Sequence, residues 1–401
     1  MKLAIYTMYF PPDFGSATIL MNEFAAFMTA RGHHVTVITT IPRERGDFKF
    51  QGRLWSSEPF DGFRVVRIWT NRTPHPLGRF LAWIVYTLLA TWISVFVEKA
   101  DVLFMRLPPP TLGVTAALVR AFRRVKVVFN VQDIHPDLAI ESGILKNPLG
   151  QRAALAFEKW VYDRGDLLAV ISDGFRQNLE SKGVSPRKIQ ILPNWVDVEF
   201  VTPSPKANVV SRALGLDSRF VVLYSGTITT SGFASLAQVL RAAALLADQD
   251  VLFAIVGEGI YKDVLQEHAR ALELSNVAFF PFRPARDIPH LLASADVALV
   301  PLDSNKAQIS VPSKLYNLMS AGIAILALTP SDTEVARVIA SAQCGVIADP
   351  DDARAIADAI LRLKQSPELR ERLGANGRAE AVRAYSRDAI LYKYEELLKE
   401  L

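Results

Sequence analysis

Several short segments of this 401-residue chain gather side chains that could hold an anion or move a proton. An apolar run at 125–131 ends in Gln132-Asp133-Ile134-His135-Pro136-Asp137, a dense set of polar groups for one strand-end loop. Asp133 and His135 are therefore candidates to contact an acceptor hydroxyl or to serve as acid and base. Asp133 could also cap the next helix, which Pro136 would help to start, and the two roles are compatible. Further on, Tyr224-Ser225-Gly226-Thr227 and Val256-Gly257-Glu258-Gly259 each close an apolar run with glycine. Side by side, two such turns would form a wall of backbone N–H groups suited to phosphate, whereas either alone is an ordinary strand-to-helix turn. Phe282-Arg283-Pro284 adds a cation. Pro312-Ser313-Lys314-Leu315-Tyr316-Asn317 then opens a helix with a proline, a hydroxyl and a lysine. There the helix-start dipoles and the Lys314 ammonium point one way, as a diphosphate requires.

Near the N-terminus, Phe10-Pro11-Pro12-Asp13-Phe14-Gly15-Ser16-Ala17 leads into a helix with Leu20, Phe24, Phe27 and Met28 on one face. Gly15 either lets backbone approach an anion or a sugar, or only serves a tight turn. Gly32 reads as a C-cap, and His33 and His34 beside it read as a solvated turn rather than metal ligands.

The elements that must position these groups follow a βαβ pattern. Short β-branched runs (3–9, 34–39, 63–69, 102–107, 125–131, 167–171 and 189–192) alternate with segments of helical period, and the pattern restarts at 220–225, 251–256, 277–281, 297–300, 323–328 and 346–348. Such runs, apolar on both faces, predict parallel sheets covered by helices on each side. The proline-rich stretch 194–206 reads as a linker, and Ser386 opens a last amphipathic helix. The expected fold is α/β: two doubly wound domains facing across a cleft, at 1–197 and 198–384, with a helix at 385–401 returning toward the first domain. Ligands of such sheets bind beyond the carboxyl ends of the strands, which is where the polar segments fall.

Half the residues are apolar and 21% are charged, which excludes a disordered chain. One cysteine, Cys344, excludes a disulfide framework and a cysteine-rich zinc site. Residues 1–200 hold 24 Lys and Arg against 18 Asp and Glu, and the remainder 21 against 23. Without runs of basic residues this surplus points away from nucleic acid and toward an anionic small molecule or an anionic membrane. Lys2 runs directly into an apolar strand-like segment, so no secretory signal and a cytoplasmic location are expected. Phe80 to Val97 carries no charge, follows Arg64, Arg67, Arg72 and Arg79, and contains Trp83, Tyr86 and Trp92. Strands of one sheet on either side argue against spanning. An interfacial helix and a buried core helix both remain open.

Taken in order, these segments resemble glycosyltransferase family 4. The likeness covers essentially the whole chain and rests on Tyr9-Phe10-Pro11-Pro12 with Gly15, Gly32-His33, Gln132 to Asp137, Pro193-Asn194-Trp195-Val196-Asp197, Gly257-Glu258-Gly259, Ala295-Asp296-Val297, and Pro312 to Tyr316 ahead of Ala321-Gly322. Within the family the chain is similar to the bacterial branch that includes fucosamine transferases of surface-polysaccharide assembly. The resemblance implies two Rossmann-like domains in the GT-B arrangement and a retaining, metal-independent transfer with no cofactor. The donor would be a nucleotide diphosphate sugar, UDP-linked, carrying a hexose or an aminosugar. The acceptor would be a lipid-linked glycan or other polysaccharide precursor at the inner face of the cytoplasmic membrane, with Phe80 to Val97 docked on anionic lipid. Donor contacts would fall to Gly15, Gly226, Thr227, Gly257, Glu258, Arg283, Pro312, Ser313, Lys314 and Asn317, with Asp133, His135 and Lys314 nearest the chemistry.

The chain departs from the family pattern in two places. Ile309 and Asn317 stand where paired glutamates eight positions apart are usual, and Thr227, with Thr229, Thr230, Ser231 and Gly232 beyond it, stands where an arginine and a lysine usually follow the glycine. Lys314 and Arg283 would then carry more of the diphosphate charge. A catalytically silent relative that binds a nucleotide sugar or a partner is the alternative. An epimerase of the same two-domain form would want more acid and base groups.

Overall fold

The computed structural model describes residues 1–13, 15–42, 53–70, 76–141, 143–229, 232–303 and 311–401. Phe14, Arg72, Thr230, Ser231 and Ile309 of the segments above lie outside the described residues. The chain forms two compact units, one of Met1–Asn194 with Leu391–Leu401, the other of Trp195–Ile390.

The first unit holds an eight-stranded sheet. Its strands are β1 (Lys2–Tyr6), β2 (His34–Thr40), β3 (Trp55–Phe60), β4 (Phe63–Ile68), β5 (Val102–Leu107), β6 (Lys126–Val131), β7 (Leu167–Val170) and β8 (Ile189–Ile191). They run in the order β3-β4-β2-β1-β5-β6-β7-β8, parallel except for the β3–β4 pair. Strand β3 escaped the sequence reading because Trp55-Ser56-Ser57-Glu58-Pro59-Phe60 is a half-exposed edge, not a buried run. The available signal was Asp61-Gly62, whose φ values of 43° and 84° make the two-residue turn that such a hairpin needs.

The second unit holds a six-stranded parallel sheet in the order β11-β10-β9-β12-β13-β14. These strands are β9 (Phe220–Ser225), β10 (Val251–Val256), β11 (Val277–Phe280), β12 (Val297–Pro301), β13 (Ala324–Leu328) and β14 (Gly345–Ala348). In both sheets the strand order reverses beside the first strand of the unit, between β1 and β5 and between β9 and β12, and each reversal opens a crevice at the carboxyl ends.

Buried apolar side chains on both faces hold each sheet. In the first unit Phe24, Phe104 and Tyr394 form an aromatic cluster with ring centroids 4.4 to 5.7 Å apart. The Tyr394 hydroxyl accepts from Asn130 at 2.8 Å, which ties the end of the last helix, Arg387–Glu400, to β6. His33 is not a solvated turn residue: its Nε2 lies 3.1 Å from Glu395 and its side chain is 8% exposed. The stretch 194–206 begins where the first unit gives way to the second, and Arg378 holds part of it by donating to the carbonyls of Val198 and Val201.

The apolar segment forms the helix Pro76–Phe96 between β4 and β5. Both strands lie in one parallel sheet, so the helix is a crossover on that sheet and not a bilayer span. Ala82, Tyr86, Ala90 and Ile93 face the core, and the Tyr86 hydroxyl donates to the Ile38 carbonyl at 2.6 Å. The opposite stripe is bare: Leu77, Leu88 and Phe96 are 63%, 62% and 70% exposed, with Leu81 and Trp92 between them. The core-helix reading holds for the inner face, and the outer face is exposed apolar surface. Two residues read as interfacial are not: Tyr86 is fully buried, and Arg67 is enclosed against Glu58 and the Pro11 carbonyl.

Candidate active site

In the second unit the two glycine turns lie side by side because β9 and β10 are neighbours. The Gly226 N–H donates to the Val256 carbonyl at 3.0 Å, and the Ile228 N–H to the Glu258 carbonyl at 2.8 Å. A Cβ on Gly257 would stand 1.9 Å from the Gly226 carbonyl oxygen, and one on Gly259 2.2 Å from that of Ile228, so glycine is required at both by close approach. Thr227 is exposed at the tip. The Glu258 carboxylate pairs with Lys262 at 2.7 Å.

Lys314 opens the helix Lys314–Ser320 and reaches this turn. Its Nζ lies 4.1 Å from the Tyr224 ring centroid and would be 3.5 Å from a Cβ on Gly226. Tyr224 is itself fixed, its hydroxyl donating to the Thr227 carbonyl at 2.8 Å. Lys314 forms no ion pair among the described residues, and burial pushes its ammonium down to about 7. A cation without a counter-charge, facing a glycine turn, is suited to an incoming anion.

Two expectations about dipoles change. The helix that follows the Gly226 turn, Phe233–Leu245, already has an anion at its start: Asp303, at the end of β12, accepts from the Ser235 N–H and hydroxyl, both at 3.0 Å. The helix at Lys314 is a short one whose Leu315 and Tyr316 N–H groups are taken by the Pro312 and Ser313 carbonyls. Fewer N–H groups remain there than a full helix start would offer, and the charge of Lys314 matters correspondingly more. Asn317 lies one turn further on this helix, partly exposed. Arg283 follows the edge strand β11, where Asp287 neutralises it at 2.8 Å, and no contact joins it to Gly226 or Lys314 among the described residues.

In the first unit Asp133 and His135 follow β6, as their sequence position requires. Desolvation raises the Asp133 pKa against the opposing field of Arg106, and water at its exposed edge limits that rise. The His135 pKa is lowered, by desolvation first and by Arg79 second, against the pull of Asp137. His135 also meets Trp83 edge to face with ring centroids 6.0 Å apart, so the helix Pro76–Phe96 borders this loop. Asp133 makes no capping bond to the helix Asp137–Glu141 among the described residues. Gly15 stands at the start of the helix Ser16–Ala30 with φ 132° and open space where a Cβ would be.

A buried charge cluster that the sequence reading missed clamps the His135 loop. Lys182 lies 2.8 Å from both Asp137 and Glu158, Asn178 donates to Asp137 at 2.8 Å, and the Tyr162 hydroxyl donates to Glu158 at 3.0 Å. Burial pushes Glu158 up to about 7 in spite of Lys182. No motif marks such a cluster in sequence, because its members come from three separate helices and turns.

Comparison with known proteins bears on the family and the fold. The profile of the Glycosyl transferase 4-like domain matches residues 15–195, and that of Glycosyl transferases group 1 matches residues 211–380. WcaI of Escherichia coli, whose name assigns it to colanic acid biosynthesis as a glycosyl transferase, is 26% identical over 80% of this chain and 82% of its own. WbjE of Pseudomonas aeruginosa, named a glycosyltransferase, is 27% identical over 66% of each chain. Among solved structures, Anabaena HepE in complex with UDP and glucose superposes with a TM-score of 0.75 at 17% identity over the whole of both chains. Two Rossmann-like units with these matches define a glycosyltransferase of the GT-B fold. The chain belongs to that family, with a family 4-type first domain and a group 1-type second domain.

Proposed function

We propose that the protein transfers a hexose or aminosugar from a UDP-linked donor to a lipid-linked or other polysaccharide-precursor acceptor, with retention and without a catalytic metal. The observation that carries this reading is Lys314, an uncompensated cation set against the Gly226 turn at the reversal of the second sheet. A diphosphate there would meet Lys314, because the Gly226 and Ile228 N–H groups are already taken by the Val256 and Glu258 carbonyls, and the ammonium would stabilise charge on the departing nucleotide. The name of WcaI, which places that protein in colanic acid biosynthesis, favours a polysaccharide product, and the UDP bound to HepE favours a UDP-linked donor. Asp133 and His135 serve the acceptor, and the bare stripe of the neighbouring helix brings the first unit to the inner membrane face where a lipid-linked acceptor resides.

The test is calorimetric titration with UDP, followed by transfer from labelled UDP-sugars to the lipid-linked glycans of a bacterial membrane extract. Wild type should bind UDP and label lipid, and Asp133→Asn should lose labelling while keeping UDP affinity within twofold. Loss of UDP binding in a folded Asp133→Asn would contradict the acceptor-side role. Thr227 and Asn317, neutral where the family carries charge, favour the silent relative as a second reading, and UDP binding without transfer to any acceptor would select it.

A further inference from the structure

Arg106 is a guanidinium with nothing to hold. It lies near the carboxyl end of β5, beside β1, at the strand reversal of the first sheet. Its Nε is buried with no hydrogen-bond partner, and the whole side chain donates no hydrogen bond and forms no ion pair among the described residues. Arginine presents five donors in a rigid fork that matches an oxyanion, and desolvating that fork without a partner is costly. Arg106 pairs in register with Asn130, three residues before Asp133, so the two strand ends carry the candidate acid-base group and the free guanidinium together. Asp133 feels the field of Arg106 without bonding to it.

From this placement we propose that Arg106 binds an oxyanion carried by the acceptor, a phosphate or a carboxylate close to the hydroxyl that receives the sugar. The proposal rests on the reading that the first unit takes the acceptor. It adds the acceptor's class: an anionic glycan or a glycosyl phosphate, held bidentately beside Asp133. The chain keeps an unpaired guanidinium at this strand end because the ligand supplies the bonded counter-charge. Asp133 acts on it only through space, and no group on β5, β6 or the Asp133 loop hydrogen-bonds or ion-pairs with it among the described residues.

The experiment saturates the full-length protein with UDP, so that the nucleotide site is filled, and titrates inorganic pyrophosphate, phosphate and glucuronate in separate runs. Wild type should bind at least one of them. Arg106→Gln should weaken that binding roughly tenfold to a hundredfold, the loss typical of a charge-assisted pair, with UDP affinity unchanged within twofold. Preference for pyrophosphate indicates a phosphate-bearing acceptor, and preference for glucuronate a uronic acid. Because a partly buried cation whose Nε has no partner is removed, Arg106→Gln should melt at or above the wild-type temperature, which separates ligand loss from misfolding. Arg106→Lys, keeping charge without the fork, should recover only part of the binding. Equal oxyanion binding in wild type and Arg106→Gln, absence of binding in wild type, or joint loss of UDP affinity would each overturn the proposal. A wild type that ignores UDP but binds the oxyanion through Arg106 would instead remove the donor reading and leave this one standing.

Discussion

Lys314 holds its ammonium 4.1 Å from the centroid of the Tyr224 ring and has no carboxylate to pair with among the described residues. Burial lowers its pKa to about 7, so at pH 8 the free protein carries it mostly neutral. A bound diphosphate favours the charged form and raises that pKa. Nucleotide binding at pH 8 should therefore take up about one proton, and affinity should fall as pH rises above about 7. Calorimetry in two buffers of unlike ionisation enthalpy measures the uptake. Lys314→Ala should abolish it and weaken UDP binding by roughly tenfold to a hundredfold. Unchanged affinity in that variant would remove Lys314 from the site.

The close approach of the two glycine turns makes a second prediction. With a Cβ on Gly257 only 1.9 Å from the Gly226 carbonyl, Gly257→Ala must push the turns apart. We expect a loss of about 1 to 3 kcal/mol in stability together with weakened UDP binding. Gly215→Ala is the control: its φ of 67° adds strain, but nothing lies within 4 Å of its Cβ position. It should cost about 1 kcal/mol and leave UDP affinity alone. Thermal melting and UDP titration of both variants check the contrast.

The bare stripe of the helix Pro76–Phe96 should hold the protein to anionic vesicles. Its core-side half is packed, so substitutions confined to Leu88 and Phe96, 62% and 70% exposed, can test lipid contact without unfolding the unit. Wild type should sediment with phosphatidylglycerol vesicles, and high salt should release it only in part, since apolar burial is not screened. Leu88→Glu with Phe96→Glu should release most of the remainder. A wild type wholly free of vesicles at low salt would sink the docking reading.

Glu395 links the last helix to the first unit and should show in the acid stability profile. Burial alone would raise its pKa, but hydrogen bonds from Lys399, His33 and Arg31 outweigh burial and bring it from 4.5 to about 2. A carboxylate held below its unfolded value stabilises the fold above pH 4.5, and the benefit disappears as pH falls toward about 2. Arg31 and Lys399 are about half exposed, which discounts the gain. Glu395→Gln should therefore cost about 1 to 2 kcal/mol at pH 7, and its stability should converge on that of wild type near pH 2. Equal stability at pH 7 would contradict this.

Much of the fold was legible in the chain. Parallel strands buried on both faces must be apolar throughout, so runs such as 102–107, 220–225 and 251–256 announce themselves, and glycine marks the turns that follow. The polar loop at Asp133 and the lysine at 314 were visible for the same local reason: polar groups crowd where a strand ends. Tertiary structure alone decided what these groups meet. It set Asp303 on the start of the helix after Gly226, placed Lys314 over Tyr224, enclosed His33 with Glu395, and left Arg106 without a partner. It also divided the apolar helix into a packed face and a bare one. Periodicity records only which residues share a face of one element. Pairings between distant elements follow from strand order and helix packing, which have no period to read.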